Sequence, residues 1–115
     1  MIIVRIVLNV FPEKRLEFTQ AILSMVEPTG KETGCLSYAL FCDIQDNNRF
    51  NLLGEWETRE DLDNHFKSLR FSVLLGSKSL LCKPLDITFY TISTTEGIEA
   101  VNSVRNNEAK SDPVI

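Results

Sequence analysis

Histidine occurs once in this chain, at position 65, nine places after the only tryptophan, Trp56. Imidazole is the one side chain whose ordinary pKa lets it exchange a proton near neutral pH. Indole offers a flat apolar face on which a planar molecule can stack. Tyr38 and Ser68 carry hydroxyls able to donate to an oxygen anion. Such a set could abstract a proton from a weak acid held in a dry pocket and stabilise the charge that develops. Each residue also has a plainer reading. A lone histidine on an apolar stripe is often a hydrogen-bonded core residue. Tryptophan at a strand end is commonly core, and Tyr38 can cap the core with its hydroxyl outward.

The stretch joining the two rings, GEWETREDLDNHFKSLRF, must turn from strand to helix. Thr58 is a candidate N-cap, with Asp61 three residues on where a capping box has Glu or Gln, and with Glu60 and Asp61 acidic in the first turn. Leu62, His65, Phe66 and Leu69 then share one helical face, so His65 should point at a sheet and not at water. A shorter helical piece is expected over 70–81, interrupted near Gly76.

The remaining elements follow in order. Residues 2–10 alternate, with Ile2, Val4, Ile6, Leu8 and Val10 on one face and Ile3, Arg5, Val7 and Asn9 on the other. Apolar residues on both sides suggest a strand covered on both faces. A helix is expected from about Pro12 to Val26, with a stripe of Leu16, Thr19, Leu23 and Val26 widened by Phe18, Ile22 and Met25. Pro28 should break it, and Gly34 should close the loop that follows. Residues 35–43 and 49–57 read as strands of a hairpin turning at Asp46-Asn47-Asn48. Gly54, inside the second of these, suggests a bulge or a close approach by another group. A last strand is expected over about 85–93. The polar stretch 94–115 reads as an extension, partly helical or disordered, with Ile98, Val101 and Val104 able to form one amphipathic face.

The whole is one domain by length, with 43% apolar residues for a core. The net charge of −4 argues against a nucleic-acid partner. No stretch is long and apolar enough to suggest a membrane span. Cys35 and Cys42, on one strand and roughly 23 Å apart, should face opposite ways and cannot bridge. Free thiols point to a reducing, cytoplasmic setting. One histidine and scattered cysteines give no metal-ligand spacing, so no metal is expected.

The order β-α-β-β-α-β is that of an α+β, ferredoxin-like unit. It places helices on one face of a four-stranded antiparallel sheet and leaves the other face for a second copy. The segment VEPTGKETGCLSYAL resembles the helix-to-strand passage of the antibiotic biosynthesis monooxygenase family in Glu32, Gly34, Cys35, Leu36, Tyr38 and Leu40. Glu55 and Trp56, followed by His65, resemble its second block. HFKSLRF matches the family's HxxSxHF at His65, Ser68 and Phe71, with Arg70 where a second histidine is common. The resemblance covers residues 1 to about 93.

It implies a dimeric α+β barrel formed through the open sheet face. It also implies, as in several members, cofactor-free oxygenation of a quinol or polyphenol. On that reading His65 is the base, Trp56 the stacking wall and Tyr38 a donor. Leu52, Phe66, Ser68, Phe71 and Arg70 would line the site for a small aromatic or apolar substrate. Some features depart from the family. Leu52 stands where its polyketide oxygenases carry asparagine, and Gly54 where an acid is often found. A tryptophan in the haem-degrading relatives is replaced by His65, so haem is not expected. Two other functions fit the same sequence. One is a non-enzymatic dimeric small-ligand-binding or stress-related protein. The other is an isomerase of a small polar metabolite, with His65 as proton shuttle and Arg70 as the nearest cation.

Overall fold

The computed structural model describes residues 1–108. Strand β1 (Ile2–Asn9) leads through a 3-10 turn at Pro12–Lys14 into helix α1 (Arg15–Gly30). The hairpin strands β2 (Cys35–Cys42) and β3 (Arg49–Trp56) follow, then helices α2 (Arg59–Phe66) and α3 (Leu69–Gly76). A second 3-10 turn, Ser77–Leu80, leads to strand β4 (Asp86–Thr91), and helix α4 (Ile98–Glu108) ends the described chain. The four strands form one antiparallel sheet in the order β2-β3-β1-β4, the ferredoxin-like arrangement.

Alternation along β1 does most of the sorting. Ile2, Val4, Ile6 and Leu8 are buried together with Phe50, Leu52 and Trp56 of β3. Phe18, Ile22 and Met25 of α1 and Leu62, Phe71 and Leu74 of α2 and α3 close over them. The opposite face carries Ile3, Val7, Ala39, Leu53 and Tyr90 among polar Arg5, Asn51 and Thr88. On that side Phe41, Leu53 and Tyr90 are exposed.

Several local expectations are corrected. Helix α1 buries Phe18, Ile22, Met25 and Thr29, while Leu16 and Leu23 lie outward. Two overlapping stripes were available, and the one headed by Phe18 takes the core, its ring packed 4.9 Å from that of Phe50. Pro28 does not end the helix, which runs on to Gly30. In the last turn its missing N–H costs little, and the Lys31 and Glu32 amides still bond to the Pro28 and Thr29 carbonyls. The inward face of α2 does not extend to Leu69, which is 86% exposed. The helix stops at Lys67, and Ser68 caps a new one whose Phe71 and Leu74 turn inward.

Strand β3 pairs regularly through Gly54, and the irregularity lies in β2, between Cys35 and Ser37. Gly54 marks a close approach, since a β-carbon there would sit 3.1 Å from the Tyr38 ring and from Trp56 Nε1. The bulge also changes the parity of β2. Cys35 lies opposite Trp56 and Cys42 opposite Phe50, so the two cysteines face the same way. All three cysteines are free thiols. The extension yields the helix α4, with Ile98, Val101 and Val104 exposed. The rest of the 94–115 expectation, residues 109–115, lies outside the described residues. Among the described residues no helix is long and apolar enough to cross a membrane.

Candidate active site

Three chain reversals meet at the end of the sheet where β3 finishes. The first is the loop after α1. Gly34 adopts φ +80° there, and its missing side chain leaves room for Asp61 to pack where a β-carbon would stand. The second is the start of α2. The Thr58 hydroxyl accepts from the Asp61 amide at 3.1 Å and bonds to the Asp61 carboxylate, while the Glu57 amide reaches the Gly34 carbonyl at 2.8 Å. These contacts tie the loop carrying Glu32 to the helix carrying His65. The third is the break between α2 and α3. There the Ser68 hydroxyl donates to the His65 carbonyl at 2.6 Å and accepts from the Phe71 amide.

His65 is 3% exposed. Its ring stacks on Trp56, centroids 4.7 Å apart and planes 26° from parallel. Tyr38 meets it edge-on at 5.9 Å and Phe71 at 5.4 Å. Phe66 packs on Phe71 at 4.9 Å and continues the rings outward to exposed Phe89 at 5.9 Å. Sequence spacing therefore locates His65 on the buried face, with Trp56, Tyr38, Phe66 and Phe71 around it.

The other proposed site residues are placed differently. The indole face offered to a substrate is taken by the imidazole itself. Leu52 is buried in the core, opposite Ile6 and Leu40. The Ser68 hydroxyl is committed to the backbone. Arg70 bonds to Glu32 at 3.2 Å.

Glu32 is the residue that reasoning from chemistry overlooked. Its carboxylate lies 3.1 and 3.2 Å from His65 Nδ1. It belongs to the acid-Gly-Cys-Leu block, which was the one signal that could have drawn attention to it. Behind it opens a polar hollow of about 430 Å³ lined by Lys31, Glu32, Asp61, Asn64 and Arg70 among others.

Burial lowers the His65 pKa from its ordinary 6.5, the bond and charge of Glu32 oppose that shift, and the charge of Arg70 adds to it. The ring is thus neutral at pH 7 and free to accept a proton. Burial first, then the Cys35 sulfur once ionised and the Glu32 charge, push the Tyr38 pKa far up, so its phenol keeps its proton. The Tyr38 hydroxyl is buried without a hydrogen-bond partner. Burial and the Glu32 charge also raise the Cys35 thiol. Among the described residues no three His, Cys, Asp or Glu side chains gather as a metal site.

The family model for antibiotic biosynthesis monooxygenase matches residues 1–74. A Bacillus subtilis protein, "Putative monooxygenase YcnE", is 32% identical over 76% of this chain and 93% of its own length. The Synechocystis protein sll1783 is 34% identical over 77% of this chain, which spans 61% of that relative's length. The fold is shared with a Deinococcus radiodurans structure described as a putative antibiotic biosynthesis monooxygenase. Its TM-score is 0.79 at 22% identity, covering 85% of this chain and 98% of that one.

Proposed function

Since the chain belongs to the antibiotic biosynthesis monooxygenase family, we propose that it oxygenates a quinol or polyphenol with O₂, without metal or flavin. The observation that carries this reading is a neutral, buried histidine set among aromatic rings beside an unpartnered phenol. Removing a proton from an electron-rich phenol raises its donor strength, and the anion can then reduce O₂ itself. Quinol and O₂ give hydroxyquinone and water. One oxygen atom enters the ring, the other leaves as water, and all four electrons come from the substrate. No external reductant is needed.

His65 takes the phenolic proton, and Trp56 backs the imidazole. Tyr38, whose hydroxyl has no partner in the protein, donates to the developing oxygen anion. A substrate would approach His65 past half-buried Phe66 and exposed Phe89, the outer end of the ring series. The working form is a homodimer joined through the open sheet face, and the three free thiols suit the cytoplasm.

Oxygen uptake with a panel of hydroquinones tests the reading. Uptake above the enzyme-free rate is expected, falling about 10²–10⁴-fold in His65→Ala. No uptake by the wild type would contradict it.

One observation favours a second reading. The polar hollow behind Glu32 includes Lys31 and Arg70, which suits an isomerase of a small anionic metabolite. Competition by such metabolites, with no oxygen consumed, would favour that activity.

A further inference from the structure

The imidazole of His65 has two nitrogens, and only one can serve as the base. A neutral imidazole carries its proton on one nitrogen and a lone pair on the other, and a fixed hydrogen bond decides which. Nδ1 lies 3.1 and 3.2 Å from the two oxygens of Glu32, and an ionised carboxylate can only accept. Arg70 approaches the same carboxylate at 3.2 Å from the start of α3. It holds the carboxylate turned toward the ring. We propose that Glu32, braced by Arg70, locks His65 as the Nδ1–H tautomer and thereby assigns the base to Nε2.

The assignment of the tautomer stands on this geometry alone. The assignment of the base rests also on the reading of His65 as the group that accepts the substrate's proton. Glu32 and Arg70 are positioning residues, acting through the imidazole. Arg70, matched in the sequence to a family histidine position and expected to meet substrate, here holds a carboxylate instead.

The charged and titratable groups around the ring come from three directions. Glu32 reaches it from the loop after α1, and Arg70 from α3. Tyr38, from β2, keeps its proton. Cys35, also on β2, lies near enough to Glu32 to feel its charge. Trp56, Phe66 and Phe71 are the uncharged rings around it. Glu32 and Arg70 therefore act on the His65 proton with opposite sign.

Because the chain has a single histidine, its ring signals need no assignment. Long-range ¹H–¹⁵N correlation of the ¹⁵N-labelled, substrate-free full chain reads the two ring nitrogens directly. At a pH well above the imidazole pKa, the wild type is expected to show a protonated Nδ1 and an unprotonated Nε2. Glu32→Ala should shift the population toward Nε2–H and lower the titration midpoint. Arg70→Met should loosen the brace and move part of the population toward Nε2–H, and Arg70→Lys should return it toward wild type. A wild-type ring protonated at Nε2, or a tautomer population unmoved by Arg70→Met, overturns the proposal. If Glu32→Ala does not fold, the wild-type spectrum and the Arg70 variants decide. A locked tautomer in a protein that consumes no oxygen with any hydroquinone would leave this assignment standing and remove the monooxygenase reading. Oxygen consumption with the opposite tautomer would do the reverse.

Discussion

Burial and a carboxylate pull on His65 in opposite directions, and burial prevails. The consequence is a pH dependence of stability with a definite sign. The folded-state pKa lies below the unfolded value, so the unfolded chain binds the proton more readily. The contribution of His65 is fully present above about pH 6.5, the ordinary value. It is lost as pH falls from there through the lower folded pKa. Urea unfolding at a series of pH values should show this loss, and His65→Phe should remove that part of the slope. That His65 is buried was legible in the sequence, because Leu62, His65 and Phe66 share one face over a single turn. That it is paired was not. Glu32 lies 33 residues earlier, and only the closure of the Gly34 loop against α2 brings it to the ring.

At the level of elements, the site depends on that closure. Gly34→Ala would force an L side chain to φ +80° and drive its β-carbon into Asp61. The expected loss is about 1–3 kcal/mol, read as a lower urea midpoint with an unchanged slope. The same variant should weaken the Glu32–His65 pair. Element identity came through well from periodicity, turn residues and the Thr58 cap. Errors arose where two local patterns competed. Leu16 and Leu23 make as regular a stripe as Phe18, Ile22 and Met25, and only packing against Phe50 decides between them. Ser68 stands out in the sequence by its hydroxyl and its place in HFKSLRF, while the apolar face was carried through it to Leu69. In the structure it caps α3, ending one helical face and beginning another, which turns Phe71 and Leu74 inward. A bulge in β2 likewise reversed the parity expected for Cys35. Single-residue slips of this kind leave no mark on apolar periodicity.

At the scale of the molecule, the sheet carries apolar residues on both sides while α1, α2 and α3 cover only one. Leu53, on an inner strand of the open face between Ala39 and Arg5, should lie near the centre of a dimer contact. Light scattering is expected to give a dimer for the wild type and a monomer for Leu53→Glu, and a wild-type monomer would remove the homodimer. The apolar second face was legible from β1 alone, where Ile3 and Val7 alternate with Arg5. The exposed stripe of α4 was partly legible, in Ile98, Val101 and Val104. The site as a whole was less so, because a ring cluster closed on itself cannot be told by spacing from one that lines an open pocket. The central claim, that this cluster directs one atom of O₂ into a phenolic ring, is met most directly by turnover under ¹⁸O₂ with an accepted hydroquinone. One ¹⁸O atom in the hydroxyquinone and one in water are expected, at a rate that collapses in His65→Ala. Unlabelled product with the oxygen recovered as hydrogen peroxide, or labelling undiminished in His65→Ala, would contradict it.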